Sequence, residues 1–470
     1  MNQLPTKTPL SCDSLVSADN ESEGSKEFGP SPQRWIVLIA FSFLTGLNSL
    51  MYITFAPIRP GVMAYYGVSG NSVDWLSMIF MASYPLVFAP MSWYIETGGE
   101  AFKNGLRVAS VINVVGSILR YLSVINKSFL SLFIGQCLTS TAQGFTLGAP
   151  PQLSGLWFEE HERGFATGVS VLANQAGPAF AFFLSPALVD GDSGDGMALL
   201  LFSEATAMCA SAVLVWCVIP SHPPRPPSAS NLRADMEKQS FRDYCRNLWK
   251  VQGSREVFFL SVAYGLCVGV LYAVETLLET LLPSESFVQR SYLGVVMLFA
   301  CMYGAVVGGW LVDYSQEHKI VTIGLTSATT FLIGVIAVLS CDEASNLMYV
   351  LLYILFALVG TFLGAIVTAG FEWGSKLVSN GVVGFNQRAV SESTIAGVLN
   401  VWAQLMGVLV ICGLEYSLEF LSTFTAWILL VGIMGFSTSF FFHIKDGKHQ
   451  RLVTRVEITY NGDMDLVCQA

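Results

Sequence analysis

Apolar runs of about twenty residues recur twelve times along the chain, and that is the length that crosses a hydrocarbon core. Spans are expected near Trp35–Pro57, Val73–Ile95, Leu106–Ile125, Phe129–Pro150, Phe165–Val189, Met197–Ile219, Val257–Leu282, Tyr292–Tyr314, Val321–Cys341, Leu347–Trp373, Thr394–Gly413 and Leu418–Phe442. Lipid offers no partner to backbone N–H and C=O groups, so each run has to close its hydrogen bonds internally, as a helix. Barrel strands would be short and alternating, whereas these runs are continuous. Of the 470 residues 53% are hydrophobic and 12% charged, where a soluble domain is about 25% charged. The surplus apolar surface has to face lipid, and the expected fold class is an all-α membrane protein.

Lys and Arg collect on the cytosolic side of membrane proteins. With the N-terminus in the cytosol, twenty of the 24 basic residues fall on that side, and only Arg59, Arg120, Lys127 and Arg290 fall outside. An even number of spans then puts both termini in the cytosol. Residues 1–33 read as a disordered cytosolic tail without the apolar core of a signal peptide, and 444–470 as a second cytosolic tail. The net charge of −10 resides in loops and tails such as "DNESEG" and "DGDSGD", which points away from nucleic acid. Ten cysteines without CxxC spacing argue against a disulfide framework. "NKS" at Asn126 is a glycosylation acceptor pattern in an expected outer loop. The expected partners are the bilayer and a small-molecule substrate, and the chain is expected to act as a monomer.

The longest inner loop, residues 220–255, begins with a proline-rich stretch that cannot continue a helix. Its "ADMEKQSFRDYCRNLWKV" segment reads as an amphipathic helix on the membrane surface. This linker divides the spans into two sets of six, residues 34–219 and 256–443, and the sets look related. "ATGVSVLANQAG" in span five and "IAGVLNVWAQLMG" in span eleven both carry a Gln seven residues after a Gly, at Gln175 and Gln404. "GLNSLMYITF" in span one and "GLCVGVLYAVE" in span seven both carry a Tyr six or seven residues after Gly-Leu, at Tyr52 and Tyr272. An acid and then a base follow spans two and eight, in "SWYIETGGEAFKNG" and "GWLVDYSQEHK". Three matches in the same order imply a parallel duplication, the arrangement of major facilitator transporters, whose site lies between two six-helix bundles.

Both glutamines lie near the midplane, Gln175 roughly 15 Å from its inner helix end at the rise of an α-helix. Each could serve an interhelical hydrogen bond or a substrate site. Two at equivalent places in both halves favour the site. Tyr52 and Tyr272 fall further out, roughly 22–25 Å from their inner ends. They are either interfacial belt residues or the walls of an aromatic box for an organic cation. Tyr272, Glu275 and Glu279 share one helix face. Carboxylates within a span are costly, so Glu275 joins the candidate substrate-binding residues. Glu279, roughly 33 Å along its helix, reads as a solvated end at the outer interface. Glu372, near an inner helix end, is a candidate for an ion pair closing the cytosolic gate, and Asp313 for a bridge to Lys319. Glu204 and Arg120 stay open, between cavity, neighbouring helix and interface.

All five histidines lie in loops or at span ends. HExxH, GxSxG and Walker-type loops are absent, and no His/Cys cluster offers metal ligands. An embedded enzyme, a bound metal, a cofactor and direct drive by ATP are therefore not expected.

"VDWLSMIFMASYPLVFAPMSWYIET", "LSGLWFEEHERGFATGVSVLANQAG", "GFE" and "GVLNVWAQLMG" resemble the feline leukaemia virus subgroup C receptor-related (FLVCR-related) transporters of the major facilitator superfamily. The resemblance runs from Gln33 to about Arg451, with "DWLSM" and "LANQAG" its more specific parts. It implies 12 transmembrane helices and alternating access, secondary-active or facilitative. The substrate it implies is a choline/ethanolamine-like cation; haem or a vitamin such as pyridoxine is the alternative within the family, and a non-transporting receptor or scaffold the alternative outside it. It implies the plasma membrane or an endolysosomal membrane. Choline-transporting members use a Trp in span one, a Tyr in span seven and Gln in spans five and eleven, roles that the resemblance carries onto Tyr52, Tyr272, Gln175 and Gln404. Tyr in place of Trp weakens the cation box without abolishing it. Glu275 and Glu279 stand where those members carry uncharged residues, and no histidine within a span supports haem.

Overall fold

The computed structural model describes residues 29, 31–159, 161–224, 240–283, 287–340, 346–379 and 392–445. The expected tails, apart from a few residues at their inner edges, and linker residues 225–239 lie outside the described residues. The described chain is helical: α1 Gln33–Ile53, a 3-10 turn Ala56–Ile58, α2 Arg59–Tyr66, α3 Gly70–Glu96, α4 Gly99–Ile125, α5 Phe129–Ala142, a 3-10 turn Gln143–Phe145, α6 Pro150–Trp157, α7 Arg163–Leu188 and α8 Met197–Val218. The linker helix α9, Phe241–Gly253, follows, and then α10 Arg255–Leu281, α11 Phe287–Ser315, α12 His318–Leu339, α13 Asn346–Ser379, α14 Glu392–Phe420 and α15 Thr423–His443.

Eleven helices among the described residues are long and apolar enough to cross a membrane. The expected fourth span is where the continuous reading fails. It is built from α5, the turn Gln143–Phe145 and α6 instead of one helix. "GFTLGAPP" supplies the reason: Pro150 and Pro151 lack N–H donors, so they begin a new helix better than they continue an old one. Gly144 lets the turn press onto α3, where a Cβ would come within 2.5 Å of the Met91 sulfur. Hydropathy does not register such a break, because the breaking residues are not charged.

Lipid-facing side chains carry much of the apolar surplus; Leu86 is 79% exposed and Phe331 71%. Helix packing uses small residues where backbones approach. Gly304 and Gly308 of α11 press against Thr361 and Ala365 of α13, and Gly360 and Gly364 of α13 press against Met297 and Cys301 of α11. A Cβ at Gly364 would lie 1.9 Å from the Cys301 carbonyl oxygen. In the first set of helices α1 packs on α7 and α8, and α4 on α5 and α8. In the second, α10 packs on α14 and α15, and α13 on α11 and α12. The sets meet chiefly where α3 lies on α14 and α7 on α11. These are spans two with eleven and five with eight, which exchange under a shift of six spans. The contact itself therefore has the internal symmetry expected of a duplication.

Of the expected amphipathic segment, residues 241–251 lie in α9, which is tied to both sets, and residues 234–239 lie outside the described residues. Phe241 stacks edge-on against Trp93 of α3, with ring centroids 5.3 Å apart. Further along, Trp402 of α14 donates its indole N–H to Gln252 at 3.0 Å. Desolvation, with the Glu96 carboxylate nearby, pushes the phenol of buried Tyr244 above its ordinary range.

Candidate functional site

One cavity of about 40 Å³ lies between the two sets of helices. Its lining includes Tyr52 of α1, Gln175 of α7, Tyr272 and Glu275 of α10, and Gln404 of α14. The five residues singled out as a substrate site thus come from four helices to one place. The Tyr52 and Tyr272 rings meet edge to face with centroids 6.0 Å apart, and Phe80 extends the aromatic wall 5.9 Å from Tyr52. A T-shaped pair of this kind is a favourable packing geometry, and its ring faces form a corner. Glu275 is 3% exposed and Gln404 6%. Among the described residues, neither Oε2 of Glu275 nor Oε1 of Gln404 has a hydrogen-bond partner, while the Tyr52 hydroxyl lies beside the Thr276 side chain.

The sequence reasoning passed over Asn48, Asn174 and Gln143, which also line the cavity. Asn48 donates to Asn113 at 2.9 Å and to the Thr139 carbonyl at 3.0 Å, and Asn174 donates to Thr45 at 3.0 Å. Gln143 donates to the Phe80 carbonyl and, at 3.2 Å, to Ser83. Their amides are engaged in holding helices together, which separates them from the unpartnered acceptors of Glu275 and Gln404. The one available signal was position: Asn174 adjoins Gln175, and Gln143 sits at the helix break.

Beyond the cavity, toward the Arg59 end, charges gather. Arg59 holds Asp74 through Nε and Nη2, each at 2.9 Å, and the Asp74 side chain is 1% exposed. Glu415 of α14 faces this pair from the other set of helices. Glu279 also lies in the field of Arg59 and is hydrogen-bonded to Arg290. Its side chain is 9% exposed, so the expectation of a solvated helix end is corrected. Rise along a helix gives a residue's level but not what covers it, and here Arg290 at the start of α11 folds over the carboxylate. At the opposite end, next to the linker helix, Ser393 and Thr394 of α14 donate to the Glu96 carboxylate of α3 at 2.6 and 3.3 Å. The sets of helices therefore touch both above and below the cavity.

Two expected ion-pair roles change. Glu372 lies 3.9 Å from His318, and both belong to the second set of helices, so this pair does not bridge the sets. Lys319 donates to the carbonyls of Phe442 and Ile444 at 2.8 and 2.7 Å instead of to Asp313. Those carbonyls at the end of α15 lack helical donors and attract the ammonium. Asp313 is exposed. The two charges left open pair with each other: Arg120 and Glu204 lie 2.9 Å apart with side chains 1% and 3% exposed.

Arg59 is the cation shared across the charged end. In Arg59→Gln, Asp74 is left facing Glu415 without compensation, and carboxylates that close repel by several kcal/mol at an intermediate dielectric. The sets should part there. A Gln404→Cys reporter in purified protein is expected to react with a water-soluble maleimide about tenfold faster in the Arg59→Gln background, a shift of ~1.4 kcal/mol. Unchanged labelling would mean that Arg59 does not hold this end closed.

The profile of the Major Facilitator Superfamily matches residues 41–411. The chain belongs to that superfamily. An uncharacterised MFS-type transporter of Caenorhabditis elegans, C09D4.1, is 31% identical over 411 residues, 85% of this chain and 67% of the relative. The choline/ethanolamine transporter flvcr2b of Danio rerio is 30% identical over 391 residues, 80% of this chain and 76% of its own length. Human choline/ethanolamine transporter FLVCR2 is 28% identical over 392 residues, 81% of this chain and 71% of the human protein. The chain is thus an FLVCR-related member of the superfamily, as its motifs implied. Among solved structures, a bacterial homologue of the human lysosomal transporter Spinster, inward-facing and unoccupied, superposes with a TM-score of 0.61 at 13% identity. That superposition covers 88% of this chain and 97% of the bacterial one, and it fixes the shared fold.

Proposed function

We propose that this multi-pass membrane protein carries a small organic cation of the choline/ethanolamine type across the bilayer by alternating access. The observation that carries the reading is the convergence of Tyr52, Tyr272, Gln175, Gln404 and Glu275 on one cavity between the halves. An aromatic corner attracts a cation through the ring quadrupoles, by about 2 kcal/mol or more once desolvated. The two amides fix the polar end of the substrate, and Glu275 supplies the compensating charge. The relatives named for choline and ethanolamine support the same class. Haem finds no counterpart here, since no histidine lines the cavity among the described residues.

In this reading the Glu96–Ser393–Thr394 contacts close the cytosolic side and the Arg59 cluster the opposite side. The distribution of basic residues supports that orientation. A cavity of about 40 Å³ holds only a few water-sized groups, so the contacts on one side have to open before a whole solute enters. The boundaries 34–219 and 256–443 then mark the two bodies that rock about the cavity. Purified protein in liposomes is expected to take up labelled choline or ethanolamine. Gln404→Ala and Gln175→Ala should each lower that uptake at least about tenfold, the loss of one well-made hydrogen bond to a charged or polar solute. Absence of flux for both amines would favour a non-transporting receptor, and flux indifferent to both substitutions would place the substrate site elsewhere; either result removes the proposal.

A further inference from the structure

Glu275 separates this cavity from one built of aromatic rings and amides alone. Its carboxylate is buried beside Tyr52 and Tyr272, and no cationic side chain among the described residues pairs with it. A buried carboxylate without a partner is costly and is stabilised by whatever cation it meets. The same cavity is lined by a further acceptor without a donor, Gln404 Oε1. Two acceptors waiting in one chamber, one of them a carboxylate, call for a ligand that carries several donors as well as a charge.

We propose that Glu275 makes this chamber selective for protonated primary amines of the ethanolamine type over quaternary ammonium ions such as choline. The inference rests on the cation-carrier reading above and narrows it. A primary ammonium is compact, strongly hydrated and has three N–H donors, as the lysine head group does. It enters a dry chamber only where acceptors replace its water, and Glu275 and Gln404 are placed to do so. A trimethylammonium head has no N–H donor. Choline offers its single hydroxyl, so at least one of the two buried acceptors would stay unpaired. A site built to hydrogen-bond its ligand rejects analogues lacking the donor because its own polar groups are then stranded.

The test compares ethanolamine hydrochloride with choline chloride on purified full-length protein, by thermal stabilisation and by competition against labelled ethanolamine uptake in liposomes. Half-saturation by ethanolamine is expected at a concentration about tenfold or more below that of choline. Glu275→Gln should bring the ratio near one by weakening ethanolamine, and Glu275→Asp should restore part of the preference. Choline binding as well as ethanolamine to the wild type would overturn the selectivity and leave the carrier reading intact. So would a preference that survives in folded Glu275→Gln protein. Failure of both amines to bind or compete would sink the selectivity and the carrier reading together.

Discussion

Arg120→Met is expected to yield little or no folded protein. Arg120 of α4 and Glu204 of α8 form a buried ion pair, Nη2 to Oε2 at 2.9 Å, with side chains 1% and 3% exposed. Thr54 donates to the other Glu204 oxygen at 2.6 Å, and the guanidinium lies over the Phe55 ring, 4.9 Å from its centroid. Removing one member strands the other charge away from water, which destabilises by about 3–5 kcal/mol, a large share of the stability of most folded chains. Glu204→Gln should fail similarly, because the amide keeps the shape but cannot balance the guanidinium. Replacing both charges together, as Arg120→Met with Glu204→Leu, removes the desolvation penalty along with the attraction and should recover a monodisperse, thermally stable protein. Neither residue lines the tyrosine–glutamine chamber, so the double variant is also expected to retain uptake. The measurement is melting temperature and size-exclusion profile across the four proteins. Single variants that melt with the wild type would show that the pair contributes nothing to the fold.

That pair also marks where reading the chain stops being sufficient. The apolar runs gave away the helices, since lipid allows few alternatives, and the repeat exposed four chamber residues because a polar group at matched depth in both halves stands out against an apolar background. Glu275 stood out for the same reason. What depth and periodicity could not supply is azimuth. Arg120 and Glu204 each looked ambiguous because their partner lies on a helix far along the chain, and which face of α8 meets α4 is settled only by packing. Glu279 was misjudged through the same gap, its cover coming from Arg290 on the next helix. The break in the fourth span escaped notice because glycine and proline interrupt a helix without lowering hydropathy much. Lys319 found carbonyl groups in place of Asp313 because the frayed end of α15 is invisible until the helix is built.

A reversible cross-link between the halves at the linker-helix end should abolish transport completely. Ser393 and Thr394 of α14 reach the Glu96 carboxylate of α3 there, and Tyr244 of α9 sits buried against the same group. Each hydrogen bond to a charged acceptor contributes about 1.5–3 kcal/mol, which is enough to hold a closed state yet small enough to release within a transport cycle. Covalent closure removes that balance. Glu96→Cys with Thr394→Cys, bridged by a short bifunctional methanethiosulfonate, is expected to bring liposome uptake to background, and reduction of the bridge to restore it. Either single-cysteine variant, treated identically, should keep the uptake it shows untreated, which controls for reaction at the native thiols, among them the exposed Cys209, Cys217 and Cys412. Because the bridge leaves the chamber untouched, equilibrium binding should persist wherever the Arg59 end can still open. Loss of flux with retained binding is the signature of an arrested gate, whereas an occupied chamber that goes on delivering solute through a fully bridged protein would mean that α3 and α14 never part at this end.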